Sequence, residues 1–387
     1  MLLNVKMKLT EQALEQLNHF CTNSLSQYAR ARNFDYGPLR RDNVSQLSKY
    51  ITHRLIDEEE VIKCAHSKFA YIKIEKFIQE VFWRTYWKGW LELRPKVWDD
   101  YLRNLKNLEK QKESAAYKEA ISGKTNIECF NDWVLELKEH NYLHNHTRMW
   151  FASIWIFTLK LPWQLGADFF LKHLLDGDAA SNTLSWRWVA GLQTKGKNYL
   201  ATKYNINTFS AKKYEVLKLN ENASSLFETE NYKAGILNFD KVETENSLFL
   251  VHNLDSCFLQ KTKDTFTHYA LFDFNNLLEK EGYTKNVLDF KKNINLELLD
   301  MLKVKFNSDL IIKDKEDLLK IIKERDIKNV IMPYLNCGYE NDFISKIKEK
   351  VKIPYLVRSY DQDCYPLAMK GFFAFKEQIP KILAKIL

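Results

Sequence analysis

The segment LLDGDAASNTLSWRWVAG, residues 174–191, places two aspartates, an asparagine and two tryptophans close together. Asp178 and Asn182 are four apart, one helical turn, so on a helix they share a face and offer hydrogen-bond acceptors to one ligand edge. Arg148, if buried alone, would be costly, and Asp176 is available to pair with it. The indoles of Trp186 and Trp188 can stack on bases or flat cofactors and can carry electrons. A capped helix with core tryptophans would use the same residue types. Four further segments weigh against that plainer reading: YARARNF (28–34), NVSQLSKYI (43–51), IQEVFWRTYW (78–87) and LHNHTRM (143–149).

Helices must position these residues. From residue 9 to about residue 200 apolar side chains recur at intervals of three and four, as in EKFIQEVFWRTYWKGWLEL and RMWFASIWIFTLKL, and strand signals are nearly absent. Short polar side chains mark expected helix starts at Asn43 and at Thr125 and Asn126. Residues 205–246 lose periodicity and fill with Asn, Ser, Lys and Glu, which predicts a surface connector. Beyond it SLFLVHNL, HYALFDF, NVIMPYL and IPYLVRS alternate with the helical patterns DKEDLLKIIKERD and ENDFISKIKEKV, predicting a parallel sheet with covering helices. No glycine-rich phosphate loop follows any of these strands.

The chain has 387 residues, enough for two cores. A net charge of +8 and 14% aromatic residues suit a polyanionic partner with stackable bases, without requiring one. Six cysteines without a CxxC pair indicate neither a metal site nor a disulfide framework, as in a reducing cytoplasm. The opening residues turn polar before a secretory leader could form, and no apolar run is long enough to cross a bilayer.

In order and spacing the five segments resemble the flavin-binding helical domain of the DNA photolyase and cryptochrome family, over roughly residues 9–200. DGD followed by a spaced Asn and WxW is the most specific part. The resemblance implies FAD as cofactor, with Tyr28, Ser45, Leu47 and Ser48 on the phosphates and ribose. It implies Arg84, Asn145 and Arg148 near the cofactor, and Asp176, Asp178 and Asn182 on the isoalloxazine ring. Serine hydroxyls and helix N-termini suit a pyrophosphate. A lesion pocket would comprise Glu80, Trp83, Met149 and Trp188, with Arg32 on a DNA phosphate. Trp186 and Trp163 match the first two members of the family's chain of three tryptophans. The third has no counterpart at residues 109–118, leaving Trp98, Trp155 or Tyr117 to replace it. Val44 stands where threonine is usual, Lys49 where proline is, and Phe77 where tryptophan is frequent.

The fold class expected is therefore multidomain: an all-α FAD-binding domain over 1–204, a connector over 205–246, and a Rossmann-like α/β domain over 247–387. The second half loosely resembles the family's antenna domain, which normally precedes the helical one, so a circular permutation is expected, with the antenna chromophore unknown. The function implied is light-driven splitting of cyclobutane pyrimidine dimers in UV-damaged DNA by electron transfer from photoexcited reduced FAD, a carbon–carbon lyase reaction. Glu80, Asn182, Trp186 and Trp163 would be its catalytic residues. The alternatives are a cryptochrome-type photoreceptor without repair activity and a (6-4) photolyase; Asn145 and Asn182 favour the dimer enzyme. The protein is expected to be a cytoplasmic monomer without a metal.

Overall fold

The computed structural model describes residues 7–215 and 218–387. The reading of the first six residues, and of two positions in the connector, lies outside the described residues. Up to residue 209 the described chain is built of helices, the described residues from 211 to 246 carry no regular element, and the one extended pairing of this half is an isolated bridge between Asp35 and Ser210. The central element is the helix Tyr71–Glu92, which buries Ile74, Phe77, Ile78, Val81 and Phe82 along one stripe. Ala179–Ala190 packs against it, and Asn145–Ser153 and Trp163–His173 pack in turn against Ala179–Ala190. No described helix is long and apolar enough to cross a membrane.

The second half is a five-stranded, all-parallel sheet in the order β3-β2-β1-β4-β5, with β1 Ser247–Val251, β2 His268–Phe272, β3 Ile311–Ile312, β4 Asn329–Pro333 and β5 Tyr355–Leu356. The fold is thus a helical half and a Rossmann-like α/β half. Period-two alternation divides the sheet between two cores. Leu248, Leu250, Ala270, Phe272 and Met332 form one with the helices on that side. Phe249, Val251, Leu271 and Ile331 join the other, continuous through Lys285–Phe306 with the core of the helical half.

Three local expectations are corrected. Asn43 caps no helix: the nearby short helix begins at Ser48, while the Asn43 amide donates to the carbonyls of Ala31 and Phe34. Residues read as connector include the helix Lys203–Phe209, capped by Thr202. The rest of that stretch is strapped to the helical half, with Leu226 N on Ala190 O (2.9 Å), Gly235 N on Leu93 O (2.7 Å) and an Arg187–Glu228 ion pair. β3 has only two residues, too few for alternation to register.

The two halves are joined through buried charge. Arg54, with a left-handed φ of 48°, donates to Asp255 (2.6 Å) and Asp361 (2.9 Å). Arg358 bonds Asp361 and Glu58, and Lys261 pairs with Asp57. Burial would push the Glu58 carboxyl up, but Arg358 and Arg54 outweigh it and hold it below its ordinary value.

Replacing Arg54 by methionine strands two buried carboxylates, and we expect a loss of about 3–5 kcal/mol in denaturant unfolding. Because Glu58 is depressed in the folded state, its stabilising share is present at neutral pH and is lost as pH falls below the ordinary carboxylate range. Denaturation followed by circular dichroism across that range checks the sign.

Candidate functional site

Of the expected residues, Ser48, Arg84, Arg148, Asp176 and Asp178 meet where the Tyr71–Glu92 helix passes the DGD turn. Asp176 is the hub. Arg148 Nη2 lies 3.0 Å from both of its carboxylate oxygens, and the Ser48 hydroxyl donates to it. Burial pushes this carboxyl up, but Arg148, Ser48 and Arg84 together hold it below its ordinary value, so it stays ionised. Arg84 donates to Thr52 Oγ1 (2.6 Å), which reaches the Asp176 carbonyl (3.4 Å).

Asp178 caps the Ala179–Ala190 helix by accepting from Ser181 N (2.7 Å). Its other oxygen lies 3.4 Å from Lys88 Nζ. Against its burial, Lys88 and Arg84 hold the Asp178 carboxyl below its usual value. Lys88 was missed by sequence reading, although the signal existed. Glu80, Arg84 and Lys88 recur every four residues, a polar stripe down one face of an otherwise apolar helix. Asn182 is buried one turn beyond Asp178 and donates its amide to Ala167 O (2.8 Å).

At the upper end of the stripe Arg32 Nη1 lies 2.9 Å from Glu80, so the guanidinium expected on DNA here holds a carboxylate of the protein. Burial raises the Glu80 carboxyl, with Arg32 and Lys76 acting against it. Tyr28 packs edge-on against Phe20 and Phe77. Leu47 is buried, Ser45 half-buried, and Asn145 exposed at the first turn of its helix. Tyr142, just before the LHN motif, lies between Arg41 (4.5 Å) and Arg148 (5.3 Å), another contact not foreseen. Met149 is half-buried, and Trp188 stacks on Tyr199 (5.8 Å). Trp83 lies face to face with Phe372 of the C-terminal segment, centroids 3.6 Å apart.

The aromatic files depart from the expected order. Trp186 meets Trp155 edge to face (6.2 Å), and Trp155 meets Tyr117 the same way (5.9 Å). Trp163 stands in a second file, stacked on Tyr101 (5.6 Å), which lies against Trp98 (5.2 Å). Trp155 sits in a widened helical turn, Ile154–Thr158. Gly166 permits the crossing, since a Cβ there would lie 2.3 Å from the Trp186 ring and 3.0 Å from Trp155.

Two arginines, two paired carboxylates, the Ser48 hydroxyl and an amide suit a ligand with anionic phosphates and a polar heterocycle. Ser181 Oγ, in the first turn beside Asp178, is buried without a partner. This donor set fits a flavin dinucleotide.

Residues 77–215 match the family described as the FAD binding domain of DNA photolyase. A deoxyribodipyrimidine photo-lyase from Buchnera aphidicola subsp. Baizongia pistaciae is 26% identical over 226 residues, 52% of this chain and 44% of that protein. One from Streptomyces griseus is 32% identical over 158 residues, 40% of this chain and 34% of that protein. The chain thus spans less than half the length of either relative. Among solved structures, a class III photolyase from Agrobacterium tumefaciens has a TM-score of 0.44 at 25% identity, covering 52% of this chain and 42% of that one. A Synechocystis cryptochrome has 0.42 at 19%, covering 52% and 43%. Over residues 77–215 the chain thus carries a domain of the FAD-binding kind found in DNA photolyase.

Proposed function

We propose that this protein repairs DNA, splitting cyclobutane pyrimidine dimers under blue light with reduced FAD. One observation carries the reading. Glu80, raised by burial and held by Arg32, heads the stripe that continues through Arg84 to Lys88 and Asp178. A carboxyl able to hydrogen-bond a base thus shares one helical face with the cations and acids suited to a flavin. Bound, reduced and excited by light, FAD supplies the dimer with an electron that returns once the ring has opened.

The chain's own residues bind and orient. Tyr28, Ser45, Leu47 and Ser48 line the phosphate and ribose side, and Arg84, Asn145 and Arg148 lie near the cofactor. Asp176 and Asp178 serve the ring edge. Asn182, its amide nitrogen held by Ala167 O, keeps its side-chain carbonyl oxygen as an acceptor for the ring. Trp83, Met149 and Trp188 form the lesion pocket with Glu80. The 1–204 half holds the cofactor, and the 247–387 half backs it. UV-damaged DNA is the partner in this reading. Electrons reach the flavin through Trp186, Trp155 and Tyr117, since those rings are contiguous.

A photoreceptor reading has one observation in its favour: Phe372 covers a face of Trp83 that a dimer would otherwise use. Repair of a dimer-containing oligothymidylate by the reduced protein under blue light, with a dark control, decides between them. Absorbance regained at the thymine band only in light supports repair, and its absence from a photoreducible sample removes it.

Glu80→Ala should lower repair about ten- to a hundredfold, the equivalent of a charge-assisted hydrogen bond, while flavin photoreduction persists. Asp176→Asn, which weakens the Arg148 pair, should reduce FAD retention about tenfold, read as the flavin-to-protein absorbance ratio after gel filtration. Trp155→Phe should slow photoreduction more than Trp163→Phe does, and the reverse order in a laser-flash experiment would reject the Trp155 route.

A further inference from the structure

Arg41 keeps only 6% of its side chain in solvent. Its Nη2 donates to Glu136, while its Nη1, buried as well, meets no acceptor among the described residues. Guanidinium donors taken out of water and left unmet are costly, so this edge points to a ligand.

The charge is under-compensated too. Burial pushes the Glu136 carboxyl up to about 7 against the pull of Arg41, with Asp35 adding to the rise, so near neutrality Glu136 is a partial counter-ion. Asp35 is committed elsewhere: its two oxygens take Gly37 N (2.9 Å) and the Thr147 hydroxyl.

Two sets of contacts tie Arg41 to the proposed phosphate side. Its carbonyl accepts from Val44 N (3.3 Å) and Gln46 Nε2 (3.4 Å), closing the turn that delivers Ser45, Leu47 and Ser48. Gln46 holds a left-handed φ of 51°, a strained backbone for a residue with a Cβ and one that clusters at ligand clamps. The Arg41 guanidinium also lies 4.5 Å from the Tyr142 ring centroid, and Arg148, the partner of Asp176, lies 5.3 Å from the same centroid. Asp176 in turn takes the Ser48 hydroxyl, so the turn, the ring and both guanidiniums form one connected set. Two guanidiniums beside a serine-bearing turn match a ligand with two adjacent anionic groups.

We propose that Arg41 binds the diphosphate of the flavin dinucleotide through Nη1, with Glu136 on its other edge, so that the chain discriminates FAD from flavins that lack a diphosphate. Arg41 supplies the donor that the apolar Val44 does not. The inference rests on the placing of the phosphates beside Ser45 and Ser48 in the proposed function, and not on repair.

The test measures binding of FAD and of riboflavin to the flavin-free full-length protein, in the dark and above neutral pH, by ultrafiltration and flavin absorbance. It compares wild type, Arg41→Met, Arg41→Lys and Glu136→Gln, each checked for folding by circular dichroism. Arg41→Met should weaken FAD roughly tenfold or more, the loss of a charge-assisted hydrogen bond, and leave riboflavin unchanged. Glu136→Gln should tighten FAD, because a carboxylate competing for the guanidinium is gone. Wild-type FAD affinity in Arg41→Met would overturn the proposal. So would a matched loss of FAD and riboflavin in both the methionine and the glutamine variants, which is what a purely structural Arg41–Glu136 pair requires. Should Arg41→Met fail to fold, Arg41→Lys answers the same question: FAD weakened with riboflavin unchanged supports the assignment, and both or neither weakened overturns it. A wild type that retains riboflavin as tightly as FAD would remove the placing of the phosphates and the proposal with it, whereas FAD discrimination without light-driven repair would remove the repair reading alone.

Discussion

Arg54 cannot reach water, and its charge is met by Asp255 in the α/β half and Asp361 in the C-terminal segment. Its left-handed backbone costs about 1–2 kcal/mol for a residue with a Cβ, so the pairing also offsets local strain. Arg358 ties the same two acids to Glu58, making the network cooperative. Such a network contributes little net stability compared with an apolar contact of equal size, but it tolerates no displacement, because any shift leaves a buried charge unpaired. It fixes how the halves meet, and that fixes what stands behind the DGD turn.

The Tyr71–Glu92 helix carries this register into the site. Lys88 reaches Asp178 and, at 3.4 Å, Asn336 in the loop after β4. Glu92, one turn on, accepts from Tyr334, Asn336 and Cys337 of the same loop. The opposite end of the stripe holds Glu80 against Arg32. A single helix therefore relates the acids of the DGD turn, the Glu80 carboxylate and the sheet, and a rotation of it would disturb all three.

Local patterns made much of this legible. The Asp178–Asn182 spacing specified its own helical face, four of the five strands announced themselves by short apolar runs, and the Arg148–Asp176 pair followed from the cost of a lone buried arginine. What escaped depends on distant chain. Trp155 enters the path of Trp186 because the helix widens and Gly166 lacks a side chain, which no periodicity encodes. Asn43 has the residue type of a cap but serves the carbonyls of Ala31 and Phe34 instead. The connector reads as loose because its anchors, Ala190, Leu93 and Arg187, lie far away in sequence.

In open parallel sheets the crevice for a ligand lies at the carboxyl ends of the strands where the order reverses, here between β1 and β4. In this protein those ends face the helical half. The backbone carbonyl of Asn253, after β1, accepts from His53 Nδ1 at 2.8 Å, and burial lowers the His53 imidazole to about 3, leaving it neutral. Because a neutral imidazole has one N–H, and a carbonyl only accepts, that proton is placed on Nδ1 by the shorter contact, with the Leu175 carbonyl at 3.3 Å from Nε2. Asp255, also after β1, takes Arg54, while the β4 loop takes Lys88 and Glu92. The polar groups that such a crevice offers a ligand are here spent on the helical half, so the sheet acts at this edge as the backing of the DGD turn.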